Sequence, residues 1–301
     1  MKQLDQLLVR ARAAARKAQA RAPLGNALPT AVVVRLNDIG VPEGWTTSEG
    51  ELLDLHAWQR SLVLLLEWLG PIRLTFTGGE PGQSDFLSRL MRFGNRLECP
   101  THVTTAGGME PTVVEELVDW GLSAVTVQVA SLDDELQRTL LGTGIKEASD
   151  TLETFSRILQ NRNRQLDLMV GIPVCSENLS SVASVAGWAH QGGAEGVFVT
   201  IPSGKPAPDG VLEAIDSIGE SNWTPSLLRQ RLAGRRVKSS PRLILLADGS
   251  VLSSNTGPVL CRLPEADVSL AWSMRSNAAD AELDQGLDIL ELMPSKLVSR
   301  R

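Results

Sequence analysis

Cysteine, tyrosine and long apolar runs are scarce in this chain of 301 residues, which has three cysteines and no tyrosine. Cys99, Cys175 and Cys261 form no CxxC pair, which argues against a disulfide framework and favours three reduced thiols. The longest strongly apolar run, residues 62–66, is far shorter than the roughly 20 residues that cross a bilayer, so no transmembrane segment is predicted. Residues 1–22 lack the apolar core of a secretory signal. Together these absences predict a cytoplasmic protein.

The net charge of −6 at pH 7 conceals a basic N-terminal segment. Residues 1–22 carry six basic groups and one acidic group, whereas the rest of the chain is acidic. Leucine and alanine recur there at helical spacing, which predicts a basic amphipathic helix over residues 1–25. Three roles are open for this helix: packing on the acidic body, docking to an acidic partner or anionic surface, or acting as an organellar transit peptide. The acidic body, without basic residues interleaved with aromatic ones, predicts no nucleic-acid partner.

After this segment, six strand patterns alternate with helical patterns. Each strand reads as a nearly continuous apolar run, which is typical of a parallel sheet covered on both faces. The alternation calls for parallel strands joined by right-handed crossover helices. Because no GxGxxG follows the first strand, a partial (β/α) barrel fits better than a doubly wound nucleotide fold. The predicted strands are residues 31–36, 72–76, 102–105, 125–129, 166–174 and 196–201, and the predicted helices are 52–69, 85–97, 111–120, 148–161 and 178–191.

The second predicted strand ends in a glycine-rich turn. Residues 72–81 read IRLTFTGGEP, where Gly78 and Gly79 allow a close approach of the backbone and Glu80 can accept from an ammonium group. This segment resembles the second strand of the radical S-adenosylmethionine (SAM) family, whose turn presents backbone groups to the amino end of SAM. Further segments resemble the third to sixth strands of that family in the same order, namely residues 103–107, 121–142, 171–179 and 197–205.

The resemblance implies an α/β fold class with a partial (β/α)6 barrel of the radical SAM type. The barrel is expected over residues 29–205, between the N-terminal helix and a small C-terminal α+β extension over residues 206–301. Within the extension, residues 242–274 resemble the start of the auxiliary-cluster extension of peptide-modifying radical SAM enzymes. There a strand, an Asp-Gly turn, a cysteine ligand and a Trp-containing helix follow one another, and Asp248 and Gly249 supply the turn.

Both sets of cysteines that this resemblance requires are missing. The family holds a four-iron cluster with the thiolates of a CxxxCxxC motif after the first strand, where residues 36–45 here read LNDIGVPEGW. The hard oxygen donors of this loop do not replace soft thiolates. At the auxiliary site, Ser253 and Ser254 stand where a cysteine would follow, and Cys261 alone does not hold a cluster. We therefore expect no iron–sulfur cluster and no metal site.

A vestigial SAM pocket is the remaining candidate site. The asparagine that often follows the third strand of the family is Ala106 here, and the polar pair often found on the fourth strand is Val129 and Ala130. No bound cofactor is expected, and SAM stays open as a ligand that would have to bind without iron. The positions that the resemblance assigns to the pocket are Gly78, Gly79, Glu80, Thr105 and Gln128.

The sequence thus favours a catalytically degenerate radical SAM-like protein over an enzyme, and no catalytic residue is assigned. One hypothesis is a non-catalytic scaffold that binds a protein or peptide partner, either a peptide or an active radical SAM enzyme. The alternative is a non-radical enzyme or sensor that binds SAM or another small ligand, with Asp38, Glu80, Gln128 and Cys175 as polar groups at the carboxyl ends of strands. A third hypothesis is a decayed gene product without a site.

Overall fold

The computed structural model describes residues 28–29, 31–39, 46–78, 80–162, 166–200, 208–219, 242–255, 257–274 and 290–292. The predicted N-terminal helix over residues 1–25 and the predicted pocket residue Gly79 lie outside these ranges. The described residues divide into two compact units. The first draws on Met1–Val103, Asp119–Leu122 and Ser240–Gln285, and the second on Thr104–Val118, Ser123–Ser239 and Gly286–Arg301.

Strands and helices alternate along the chain, as the sequence predicts. The strands are β1 (Ala31–Arg35), β2 (Arg73–Thr77), β3 (Thr101–Thr105), β4 (Ala124–Gln128), β5 (Asp167–Pro173), β6 (Gly196–Thr200), β7 (Arg242–Leu245), β8 (Ser250–Leu252), β9 (Val259–Arg262) and β10 (Leu290–Leu292). The α-helices are α1 (Leu55–Leu69), α2 (Leu87–Arg96), α3 (Pro111–Asp119), α4 (Asp134–Leu141), α5 (Ile145–Arg162), α6 (Val182–Gln191), α7 (Val211–Gly219) and α8 (Val268–Met274). None of the helices within the described ranges is long and apolar enough to cross a membrane.

The first helix begins later than its periodicity predicts. The apolar pattern starts at residue 52, but α1 begins at Leu55 because the Asp54 side chain caps its first turn. The backbone N–H of Leu53 donates instead to the carbonyl of Ala247 at 2.8 Å. Gly70, at a φ of 80°, ends the helix as predicted.

Periodicity does not predict α4 and β9. The single buried side chain of α4 belongs to Gln137, so this helix lacks the apolar stripe that a pattern search detects. Its ends are fixed locally, by the Asp133 side chain that caps the first turn and by Gly142 in the left-handed conformation. β9 is a partly exposed strand without apolar alternation.

In the first unit, the strands lie in the order β3-β2-β1-β7-β8-β9. β1 pairs in parallel with β2 and with β7, and β2 pairs in parallel with β3. β8 and β9 continue the sheet in antiparallel pairing. The first strand of the predicted C-terminal extension therefore lies directly beside the first strand of the predicted barrel.

The two faces of this sheet differ in character. Leu74 and Phe76 of β2 are fully buried, and α2 packs on their face closely enough that a Cβ on Gly94 would lie 2.8 Å from Leu74. On the opposite face, which we call the second face, β2 is only partly buried. The prediction of continuous apolar runs is therefore wrong for β2, whose second face is polar. The second face carries Ala31, Val33, Arg35, Arg73, Thr75, Thr77, His102, Arg242 and Ile244.

In the second unit, β4, β5 and β6 pair in parallel, and β10 adds to β6 in antiparallel pairing. The core is apolar, because Leu152 and Phe155 of α5 and Val185 and Ala186 of α6 are fully buried. Loops at the carboxyl ends of the strands are held by α5, whose Thr151 hydroxyl accepts from the backbone N–H of Gly108 at 3.1 Å.

Candidate functional site

A buried arginine stands at the carboxyl end of β1, where the resemblance expects an iron–sulfur cluster. Arg35 is 1% exposed. Its guanidinium donates to the carbonyl of Thr46 at 2.6 Å and to Oδ1 of Asn255 at 3.0 Å, and it lies 3.8 Å from the carboxylate of Asp38. Burial lowers the pKa of Arg35, and the negative charge of Asp38 opposes that shift. The arginine thus joins both ends of the loop after β1 to the loop after β8.

The remaining described residues of this loop also bond among themselves. Oδ2 of Asp38 accepts from the backbone N–H of Ser48 at 2.8 Å, and Oδ1 of Asn37 accepts from that of Ile39 at 3.2 Å. The backbone N–H of Thr46 donates to the carbonyl of Asn255 at 2.7 Å. The polar groups at the start and the end of the loop are thus hydrogen-bonded to other groups of the protein.

The glycine-rich turn after β2 closes against this loop. Gly78 has a φ of 108°, and a Cβ there would collide with the carbonyl oxygen of Asn37 and lie 2.7 Å from Cγ of Arg35. Glycine is therefore required at this position for conformation and for space. Nδ2 of Asn37 donates to the carbonyl of Glu80 at 3.1 Å. The turn lies close against the chain's own loop, and its predicted approach to a ligand stays a prediction.

The carboxylate of Glu80 is directed to its own turn. Glu80 is 4% exposed, and its Oε1 accepts from the backbone N–H of Gly82 at 2.9 Å, which caps the 3₁₀ turn Pro81–Gln83. The sequence predicts this side chain as an acceptor for an ammonium group. In the first unit, Glu80 is buried and its side chain caps its own turn.

Thr105 and Gln128 belong to the second unit, where each ends a strand. Thr105 is buried, and its hydroxyl accepts from the backbone N–H of Gly107 at 2.9 Å. Gln128 is partly buried at the end of β4. The structure thus places both residues at the carboxyl ends of strands, as the resemblance implies. Their role in a pocket stays a prediction.

Two buried amide side chains fix the strand ends of the second unit, and the sequence analysis does not single them out. Oε1 of Gln137 accepts from the backbone N–H of Ala130 at 2.8 Å. Nδ2 of Asn178 donates to the carbonyls of Ala130 and Pro173, both at 2.8 Å, while its Oδ1 accepts from the backbone N–H of Cys175 at 2.9 Å. The sequence carries only a weak signal for them, an amide side chain in the segment after the strand, within α4 for Gln137 and in the loop after β5 for Asn178.

The three cysteines are poor candidates for metal ligands. Burial raises the pKa of Cys99 to about 11, and burial followed by the charge of Asp267 raises that of Cys261 to about 11. Burial, followed by Glu177, also raises the pKa of Cys175. A thiolate is the form that binds iron, so each thiol resists the deprotonation that ligation needs. Within the described ranges, no group of three or more His, Cys, Asp and Glu side chains is arranged to hold a metal ion.

The predicted auxiliary-cluster region is organised around a buried carboxylate. The side chain of Asp248 is fully buried and accepts from the backbone N–H groups of Glu49 at 3.2 Å and Gly50 at 3.1 Å. It also accepts from the N–H and hydroxyl of Ser250, and Arg262 lies 3.2 Å away. Ser253, where the resemblance expects a cysteine, is 1% exposed, and its hydroxyl has no hydrogen-bond partner among the described residues.

Replacing Asp248 with asparagine is expected to destabilise the protein at neutral pH and much less in acid. Burial raises the pKa of Asp248, but the hydrogen bonds from Ser250, Glu49 and Gly50 outweigh it, and the pKa lies below its usual value. A lowered pKa stabilises the fold above the unfolded-state pKa of about 3.9, and this stability is lost as the pH falls through the folded-state pKa. Urea midpoints of both proteins between pH 7 and pH 3 measure this, and a gap that stays constant over that range contradicts it.

The residues present do not fit an iron–sulfur cluster. The loop after β1 contains no cysteine, and its described residues bind one another around a guanidinium cation. A cationic, oxygen-lined network offers none of the thiolates that such clusters use. The residues present fit SAM only in part. The carbonyl of Glu80 already accepts from the Asn37 side chain, and its carboxylate already accepts from the backbone N–H of Gly82.

Comparisons with known proteins define the fold. No protein-family model matches the chain. Streptococcus suis SuiB bound to precursor peptide SuiA matches with a TM-score of 0.63 and 13% identity, covering 86% of this chain and 67% of SuiB. SuiB bound to SAM matches with a TM-score of 0.61 and 12% identity, covering 82% and 64%. The protein anSMEcpe with bound AdoMet and Cp18Cys peptide matches with a TM-score of 0.60 and 13% identity, covering 83% and 82%.

These similarities confirm the predicted fold class, a mixed α/β structure with parallel strands that matches the partial (β/α) barrels of radical SAM enzymes. At 12–14% identity they show the fold alone. The chain spans about two thirds of the length of SuiB.

Proposed function

We propose that this chain is a catalytically degenerate radical SAM-like protein, without an iron–sulfur cluster, that acts as a scaffold or partner-binding subunit. The observation that carries the proposal is the loop after β1. Where the family places three cysteines, this chain has none, and buried Arg35 joins the described ends of the loop through Thr46 and Asn255. A buried guanidinium has to keep its partners to offset its desolvation, so the loop has a structural reason to stay closed.

A peptide or an active radical SAM enzyme is the partner that we propose. Two of the similar structures contain a peptide, SuiA in SuiB and Cp18Cys in anSMEcpe. The region around Asp248 also supports a peptide partner, because residues 242–274 resemble an extension that accompanies peptide substrates in this family. The predicted basic helix over residues 1–25 would bring positive charge to an acidic partner.

Calorimetric titration of SAM into the purified full chain, without added iron, tests whether the vestigial SAM pocket binds SAM. We expect no saturable heat, because much of the affinity of the family for SAM passes through iron and because Glu80 is already engaged. Saturable binding that is lost in Glu80→Ala and kept in the exposed control Glu51→Ala would contradict this expectation and favour the alternative below.

Co-purification tests the partner. The tagged full chain and a form lacking residues 1–22 are expressed in the source cell, and the retained proteins and peptides are identified by mass spectrometry. The proposal predicts a specific peptide, or an intact radical SAM enzyme, in stoichiometric amount with the full chain. Recovery of the chain alone under conditions that preserve weak complexes would contradict it.

The alternative function is a non-radical enzyme or sensor that uses the vestigial pocket for SAM or another small ligand. The turn at Gly78 favours it, since the conformation that permits a close backbone approach is preserved. Asp38 also favours it, because its buried Oδ1 has no hydrogen bond with a described residue and lies 3.8 Å from the Arg35 guanidinium. The titration with Glu80→Ala separates this alternative from the scaffold.

A further inference from the structure

Two arginines flank one alanine at the amino end of the first unit's sheet. Ala31, the first residue of β1, is the register partner of Arg73 on β2 and of Arg242 on β7. Register partners on parallel neighbours project to the same face, and two strands of separation put their Cα atoms about 9.5 Å apart. The side chain between the arginines is a single methyl group, so both guanidinium groups can reach over it.

Neither guanidinium is neutralised by the described part of the chain. Arg73 is exposed and Arg242 is partly buried, and neither has an ion pair or a hydrogen bond with a described residue. None of the described residues named above for the second face carries a carboxylate. Arg35, a further arginine among them, is occupied at the other end of β1. The described residues of this face therefore offer the two adjacent cations no counter-charge.

A histidine also lies on the same face. His102 of β3 is the register partner of Thr75, two residues along β2 from Arg73. Burial, followed by the charge of Arg73, lowers the pKa of His102 to about 4, so this side chain is neutral at pH 7. The pKa of Arg242 is lowered by burial and then by Arg73. The positive charge of Arg73 thus acts on Arg242, and an anion bound between the two arginines would relieve this repulsion.

We propose that Arg73 and Arg242 form a binding site for a phosphate group over Ala31, at the amino end of the sheet. Two guanidinium forks on opposite sides need an acceptor with oxygens on several sides. A tetrahedral phosphate can accept a bidentate pair from each fork, whereas one carboxylate has two oxygens for a single fork. The phosphate belongs either to the free ion or to a phosphomonoester.

This site is separate from the predicted SAM pocket. The described pocket residues of the first unit, Gly78 and Glu80, follow the carboxyl end of β2, whereas Ala31 lies at the amino end of β1, four residues from Arg35. Four residues of strand correspond to about 13 Å. The proposal therefore does not depend on the proposed function, and a chain that binds neither SAM nor a cluster can still bind phosphate.

Thermal unfolding in sodium phosphate, sodium acetate and sodium chloride at equal ionic strength and pH tests the site. Phosphate is expected to raise the midpoint above the other two salts. Calorimetry should show saturable phosphate binding, weakened roughly tenfold or more in Arg73→Gln and in Arg242→Gln, since each removes one charge-assisted fork. The matched control Arg89→Gln, an exposed arginine on α2, should bind as the wild type does. Phenyl phosphate in a parallel titration distinguishes a monoester from the free ion.

The two variants also separate a binding role from a structural one. Without phosphate, removing one of two repelling cations should leave the unfolding midpoint unchanged or raise it. In phosphate, the unfolding midpoints of the same variants should lie below that of the wild type. Arg73→Lys keeps the charge at an exposed position and should bind more weakly than the wild type. Equal stabilisation by chloride and phosphate, or undiminished phosphate binding in both glutamine variants, would overturn the proposal.

Discussion

Arg35→Ala is expected to lower the free energy of unfolding by about 3–5 kcal/mol, the cost of removing one partner from a buried charged network. The substitution leaves the carbonyl of Thr46 and the amide of Asn255 without their donor. It also leaves Asp38 without its nearby cation in a partly buried position. Among the described residues, Thr46 still joins the loops after β1 and β8 through its N–H to the carbonyl of Asn255 and its hydroxyl to that of Gly257, so the loops should loosen rather than separate.

Urea unfolding followed by far-ultraviolet circular dichroism measures this effect. The matched control is Arg138→Ala, whose guanidinium contacts both Asp134 at 2.9 Å and Glu147 at 3.1 Å but stays about half exposed. Exposed ion pairs contribute little, so the control should leave the midpoint nearly unchanged. Equal losses in the two variants would show that Arg35 acts as an ordinary surface charge.

Gly78→Ala is expected to cost on the order of 3 kcal/mol, because positive-φ strain and a backbone collision act together. The φ of 108° is unfavourable for any residue with a Cβ, and that Cβ would overlap the carbonyl oxygen of Asn37. The backbone cannot yield without breaking the bond from Asn37 to Glu80. The predicted change is a lower unfolding midpoint and faster amide exchange in residues 36–39.

Gly142→Ala supplies the control for strain alone. Gly142 has a φ of 75°, and a Cβ there would have no atom within 4 Å. Its cost should be about 1 kcal/mol, the usual penalty of the left-handed conformation. If both variants lose the same stability, the close contact between Gly78 and Asn37 adds nothing to the cost of the substitution.

The sequence predicts much of the fold because the signal is local. β1 and β5 show apolar runs that their buried positions explain, and Pro71 and Gly70 mark the end of α1. α4 escapes prediction because its one buried side chain, Gln137, is polar and is held by backbone groups. Such a helix is specified by hydrogen bonds between a polar side chain and the backbone of the loop that precedes it, which an apolar periodicity does not record.

The site is less predictable than the fold. The turn at Gly78 follows from a motif, but the partners of that turn do not. Arg35 is a charged residue at the end of an apolar strand, and only the structure shows that Asn255, 220 residues away, accepts from it. Arg73 and Arg242 are likewise 169 positions apart in the sequence, and the register on either side of Ala31 is what makes them neighbours.

The network around Arg35 gives the absence of cysteines a structural meaning. A loop that had simply lost its ligands would leave most donors and acceptors around it without partners. Here the guanidinium, Asn37 and Oδ2 of Asp38 have hydrogen bonds with described residues, and Oδ1 of Asp38 lies 3.8 Å from the guanidinium. A polar network thus occupies the place where the resemblance expects the cluster.

Iron and acid-labile sulfide content after anaerobic reconstitution tests whether this chain can hold an iron–sulfur cluster. The purified full chain is incubated with ferrous iron and sulfide under reducing conditions, desalted, and read in the visible region for thiolate-to-iron charge transfer. We expect no bound iron above the level of a Cys99→Ser, Cys175→Ser, Cys261→Ser triple variant and no visible band. About four irons and four sulfides per chain, with SAM-dependent change in the spectrum, would contradict it.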